Sequence, residues 1–180
     1  DRQNPQKPET ILSSLGKSYE RMVTMDQEEF ESNFLKTSDM RMASSKPAED
    51  TYNYLQIGRY TLRSQLDCYD PEAGVFDLKS RATNPIRIYP DDDPSMHLGY
   101  RLTRLMGPTN SFEREYYDLI RSAFLRNIFQ VRIGDMGGIF MAYHNTQDVF
   151  GFEYLPLDDM EQCIFQSKRM ADLTFDTTLK

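Results

Sequence analysis

Basic residues are in the minority. The 21 Lys and Arg stand against 28 Asp and Glu, a net charge of −7, which excludes attraction to nucleic acid by the surface as a whole. Any polyanion must be met locally. Cysteine is scarce as well: Cys68 and Cys163 are the only two. They show neither metal-ligand nor CxxC spacing, so they read as two reduced thiols in a reducing compartment. Histidine is limited to His97, which reads as a loop residue, and His144, which ends an apolar run and reads as structural. No stretch approaches the ~18 apolar residues of a membrane span, and no signal or transit peptide opens the chain. The chain starts at Asp1 without a methionine. It is expected to be part of a longer protein, so the missing leader carries no information about localisation.

The 180 residues suffice for one domain with a real core. Residues 1–10 read as a flexible lead-in and residues 11–175 as a single domain. Ile11, Leu12, Leu15, Tyr19, Met22 and Val23 recur at helical spacing and predict a helix to about Met25. Asp26 and Glu29 form a capping-box pattern ahead of a second helix carrying Phe30, Phe34 and Leu35. Residues 37–50 read as a mobile loop or a substrate entrance. Tyr52 to Ile57, a turn at Gly58-Arg59, and the run from Tyr60 onward predict strands that join the next hairpin in a three-stranded meander. Pro85 ends the third strand or confines its continuation, Ile86 to Tyr89, to an edge. The three aspartates 91–93 read as a solvated loop or a cation site. One long helix is predicted from Asn110 to Gln130, capped by Asn110 and Glu113. Ile139 to Tyr143 reads as a strand covered on both faces, Val149 to Tyr154 as another, and Asp158 with Glu161 as the cap of a last helix to about Leu173.

The chemistry concentrates between Arg63 and Thr83, in RSQLDCYDPEAGVFDLKSRAT. Strand alternation puts Arg63, Gln65, Asp67 and Tyr69 on one face and Leu62, Leu66 and Cys68 on the other. In the second run Asp77, Lys79 and Arg81 share a face opposite Phe76, Leu78 and Ala82. With the turn at Asp70 to Gly74, Asp67 falls across from Asp77 and Gln65 across from Lys79. Two facing carboxylates repel, and a divalent metal is the simple remedy. Asp-x9-Asp-x-Lys on adjacent strands resembles the PD-(D/E)XK nuclease superfamily, with Leu66 in place of its usual proline and Asp77 where Glu is commoner. The resemblance implies an α/β fold with an αβββαβ core, a mixed central sheet flanked by helices, which agrees with the predicted element order.

Longer blocks carry a closer likeness. RSQLDCYDP, FDLKSRA, SFEREYYDLIRSAFL, QVRIG and GIFMAYHNTQDVFGFEYL are together similar to the family of fungal mitochondrial RNA 5′-end processing proteins named for respiratory-deficient (petite) mutants. The likeness spans roughly Ile11 to Met160. It implies a mitochondrial protein of the matrix, peripherally associated with the inner membrane, that trims 5′ ends and degrades mitochondrial RNA and is linked to the mitochondrial RNA polymerase. Members carry a longer N-terminal region and a longer turn in the motif hairpin.

In these terms the expected activity is that of a Mg²⁺-dependent exoribonuclease, with Mn²⁺ as a substitute. Asp67 is the central metal ligand and Asp77 the second, with the Leu78 carbonyl contributing. Lys79 orients or deprotonates water, or else forms a salt bridge to either acid. Glu20 is the candidate third ligand from the first helix, with a solvated carboxylate as the plain alternative. Gln130 is placed beside the lysine. Arg63 and Arg81 act as phosphate clamps or balance the carboxylates, and Arg114, Arg121 and Arg126 touch RNA phosphates or are solvated. Two further possibilities stand beside the enzyme. The first is a non-catalytic nuclease-like module that binds RNA and regulates the polymerase; the second is a fragment that needs the rest of its protein to act.

Overall fold

The computed structural model describes residues 11–34, 51–71, 74–89, 97 and 99–179. The loop predicted over 37–50 and the acidic triplet lie outside them. The chain divides into two compact units, Asp1–Ala48 and Glu49–Lys180.

In the first unit, α1 (Ile11–Thr24) and α2 (Gln27–Phe34) match the predicted pair. Arg21 near the end of α1 stacks 4.8 Å from the centroid of Phe34, which itself lies 5.5 Å from Phe30.

The second unit opens with β1 (Thr51–Ile57) and β2 (Tyr60–Leu66), an antiparallel hairpin turned at Gly58, whose φ of 57° suits glycine. It does not continue into a meander. The ladder stops at Asp67, and β3 (Cys68–Asp70) belongs to a second sheet of order β3-β4-β5-β6. There β4 (Gly74–Ala82) pairs antiparallel with β3 and parallel with β5 (Gly138–His144), and β6 (Val149–Pro156) returns antiparallel. The fold is α/β, with one antiparallel hairpin and one mixed sheet. Gln65 consequently faces Tyr52 rather than Lys79. The expected hairpin register survives beyond the break, since Cys68 pairs with Phe76.

Parallel strands require a crossover, and the β4-to-β5 connection supplies the helices that cover one sheet face. Pro85 ends the strand, as anticipated, but the chain then enters the short helix α3 (Asn84–Ile88) instead of an edge strand; proline suits the first helical turn. The predicted long helix is two: α4 (Phe112–Ser122) and α5 (Phe124–Gly134), bent at Ala123. Its cap is Ser111, whose hydroxyl accepts from Arg114 N–H, and not Asn110. The bend lets Leu119 on α4 and Phe124, Ile128 and Val131 on α5 pack together against Ile139, Met141, Tyr143 and Leu155. Packing, not helix propensity, decides where the helix breaks. The last helix is also divided, into α6 (Leu157–Phe165) and α7 (Lys168–Leu179). Buried Glu161 accepts from Arg132 (2.6 Å) and Lys168 (2.9 Å), and Arg132 reaches Asp172 (2.7 Å), which ties both helices to α5.

On the other sheet face Phe76, Phe140 and Tyr154 form an aromatic row with centroid spacings of 4.7 and 4.9 Å. At the head of β5, Gly138 lies so close to β6 that a Cβ would stand 2.4 Å from the Leu155 carbonyl oxygen, a backbone atom that cannot swing aside. Gly138→Ala is therefore expected to lower the unfolding free energy by about 2 kcal/mol or more, as measured by urea denaturation.

Candidate active site

The face of β4 that carries Asp77, Lys79 and Arg81 is the face under the helices, because Asp77 and Lys79 pair in register with Ile139 and Met141 of the core. The alternation expected from sequence is correct, yet the polar row is not turned to solvent. Asp77 and Arg81 are buried, Lys79 is partly exposed, and Leu78 on the opposite face is buried too. Only at the edge strand does this face open, where Asp67 and Tyr69 are exposed.

Asp77 is 0% exposed, and neither of its carboxylate oxygens has a hydrogen-bond partner. Lys79 Nζ stands 2.5 Å from Asp77 Oδ2, so the contact supplies charge without a well-aligned hydrogen bond. A buried carboxylate in this condition is costly, and its open lone pairs suit a cation. Asp67 and Asp77 flank the Cys68–Phe76 pair by one residue each, which brings their backbones opposite one another across the β3–β4 boundary. Among the described residues no three His, Cys, Asp or Glu side chains gather as a metal cluster. Two carboxylates nevertheless fit Mg²⁺, which keeps several waters and is commonly held by one or two carboxylates together with substrate phosphates.

One step along β4, Arg81 enters a second charged cluster. Its Nε lies 3.7 Å from Glu115 Oε2, while its Nε and Nη2 have no hydrogen-bond partner. Glu115, fully buried on α4, accepts from Asn84 N–H (2.7 Å) and from Arg87 Nη2 (2.9 Å). Arg87 also bonds Asn84 Oδ1, and its Nε donates to the Ala82 carbonyl (2.7 Å). Burial and the neighbouring Arg87 cation lower the Arg81 guanidinium to about 10, which leaves it charged at neutral pH. Beside it, burial and Glu153 push the Tyr143 phenol upward, and Tyr143 OH donates to Glu153 (2.8 Å). His144 is buried and its pKa is lowered by that burial. Thr146 N–H donates to its Nδ1 (3.1 Å), which fixes the neutral ring.

The other expected residues lie on several elements. Arg63 lies on β2 in the separate hairpin, its guanidinium 4.4 Å from the Tyr52 ring centroid. Gln130 is half-buried on α5, whereas Lys79 pairs with Asp77. Arg121 is exposed and bonds Tyr117 OH (2.8 Å), and Arg126 is exposed on α5. Glu20 is half-buried on α1, in the unit that does not contain Asp77. Cys68 is buried, as expected of its strand face. Sequence reasoning missed Asn84, Arg87, Glu115 and Glu153. One signal was available: Glu115 sits within the apolar stripe of Phe112, Tyr116 and Leu119, a place where a charge needs a partner.

These elements define the class of the molecule: an α/β protein with mixed and antiparallel sheets flanked by helices, whose strand β4 sets a buried acid beside a partly exposed lysine. The chain belongs to the family described as "Mitochondrial protein Pet127", which it matches over residues 1–180. It is 43% identical over 173 residues to "mRNA degradation protein pet127, mitochondrial" of Schizosaccharomyces pombe, covering 94% of this chain and 32% of that protein. It is 42% identical over 153 residues to "Putative mitochondrial translation system component PET127" of Saccharomyces cerevisiae, covering 82% of this chain and 18% of that one. The chain thus spans a third or less of these relatives. No solved structure matches it.

The charge arrangement makes two measurable differences. Glu115→Ala strands the Arg81 and Arg87 cations and is expected to cost about 3–5 kcal/mol of stability, whereas Arg101→Ala, which removes the exposed Arg101–Asp148 pair, costs no more than about 1 kcal/mol; denaturant titration of each variant compares them. Because His144 is held neutral when folded but takes a proton at its ordinary pKa of 6.5 when unfolded, the unfolded state gains protons first as pH falls. Stability should therefore drop below pH 6.5 by up to about 1.4 kcal/mol per pH unit, and unfolding curves of His144→Gln should lack that part of the slope.

Proposed function

We propose that this chain carries the metal-binding centre of a Mg²⁺-dependent exoribonuclease that processes and degrades mitochondrial RNA from its 5′ end. The observation that supports this reading most is Asp77, a fully buried carboxylate with both oxygens unpartnered beside Lys79 and across from Asp67. The mRNA-degradation name of the fission yeast relative agrees with it. So does the likeness of Asp67, Asp77 and Lys79 to the PD-(D/E)XK pattern, on a β-hairpin followed by helices and a parallel strand. Asp67 and Asp77 would hold Mg²⁺ or Mn²⁺, which would supply charge neutralisation at a scissile phosphate and a more acidic water. Lys79, in place beside Asp77, would orient the attacking water, and the open margin at Asp67 and Tyr69 is the side from which a phosphodiester would arrive. Arg81, fixed against Glu115, holds positive charge behind the reacting phosphate. Arg121 and Arg126 meet RNA phosphates from exposed helix positions. A matrix location with peripheral inner-membrane association and a link to the mitochondrial RNA polymerase belong to this reading as properties of the full-length protein.

A second reading is favoured by the 2.5 Å Lys79–Asp77 contact, which is also what a retired centre looks like. On that view the domain binds RNA and regulates the polymerase without cleavage.

Incubation of full-length protein with 5′-labelled RNA separates them. The enzyme releases product only with Mg²⁺ or Mn²⁺, and Asp77→Asn and Lys79→Ala slow release by roughly 10²–10⁴-fold while circular dichroism shows a retained fold. Binding without metal-dependent turnover overturns the nuclease reading and supports the module.

A further inference from the structure

The β1–β2 hairpin has two different sides. Leu55, Leu62 and Leu66 alternate inward with Asn53 and Ser64. On that side Asn53 Nδ2 donates to the Ile133 carbonyl (3.0 Å), and a Cβ on Gly134 would stand 3.2 Å from Ser64 Oγ, so the hairpin lies directly against the end of α5. The opposite side presents Tyr52, Tyr54, Gln56, Thr61, Arg63 and Gln65. All but the partly covered Tyr52 are exposed, Tyr54 to 62%. All 28 acidic residues of the chain lie outside residues 51–66, while Arg59 and Arg63 lie within them. In a chain of net charge −7 the two hairpin strands thus carry no carboxylate of their own, and they run directly into Asp67.

We propose that the outer face of the β1–β2 hairpin is a stacking platform for unpaired bases of single-stranded RNA, which it delivers to the Asp67 margin of the active site. Tyr52 and Tyr54 are neighbours on the same strand face, about 6.8 Å apart, a spacing that seats separate bases of an extended strand. Arg63 is the register partner of Tyr54 and already lies over Tyr52, so its guanidinium plane continues the aromatic row and meets the backbone charge. Gln56 and Gln65 offer both donors and acceptors to base edges without selecting one base. Aromatic faces of this kind bind single strands with little sequence preference, whereas a duplex keeps its bases stacked internally. The face is rigid by construction, since its back is packed on α5, and ordering it on binding costs little.

The inference rests on RNA being the substrate class, and it is tested without turnover. Full-length protein in EDTA is titrated with fluorescent oligouridylate and, separately, with an RNA duplex of equal length, and anisotropy is followed. Tyr54→Ala is expected to weaken single-strand binding about tenfold, Tyr54→Phe to restore it, and duplex binding to stay as it was. Arg63→Gln is expected to lower the slope of log affinity against log salt by about one. A protein that binds oligouridylate equally well with and without Tyr54 overturns the platform and leaves the RNA reading intact, the face then being assigned to a partner other than RNA. Failure of the unaltered protein to bind either RNA overturns both. Binding that depends on Tyr54 in a protein that never cleaves supports the platform and overturns only the nuclease.

Discussion

Burying a carboxylate beneath a helix layer is tolerable only if a cation is buried or half-buried with it, and that constraint organises the second unit. Among the described residues it is met three times. Asp77 has Lys79, Glu115 has Arg87 with Arg81 behind it, and Glu161 has Arg132 and Lys168. The last two carboxylates accept well-formed hydrogen bonds and hold helices in place. Asp77 does not, although it is as deeply buried as Glu115. The contrast separates a carboxylate that serves the architecture from one that the architecture keeps under-satisfied, and the latter is the pattern expected where function draws on stability.

The architecture around Asp77 comes from its strand. Because β4 pairs with β5 in parallel, the intervening chain must cross over the sheet, and α4 and α5 land on the face that carries the charges. The edge strand β3 is three residues long and is left outside that cover. One acid is thereby sealed in while its neighbour across the ladder stays at the surface. A sheet with equal cover over all its strands would make a sound core and no entrance.

Much of this arrangement was legible in the order of residues. Alternation of side chains gave the facing of Asp77, Lys79 and Arg81, and the turn at Asp70 to Gly74 gave the register that Cys68 and Phe76 obey. The unbroken apolar run of β5 announced a strand covered on both faces, and long shared blocks announced the family. Three features were hidden, each for a physical reason. The interruption at Asp67 is invisible because Leu66 and Cys68 continue the same alternation through it. The bend at Ala123 is invisible because no Gly or Pro marks it and the packing of Phe124 decides it. The Asn84–Arg87–Glu115 cluster joins residues some thirty positions apart, which no local pattern can bring together; only the misplaced charge in the α4 stripe hinted at it.

Asp67 is the single residue between the last rung of one sheet and the first of the other. Its backbone torsions therefore set the angle at which the hairpin passes into the four-stranded sheet, while Asn53 holds the back of the hairpin to α5. A substitution that shifts the backbone at this one position would disturb the last rung of the hairpin and the first rung of the mixed sheet together.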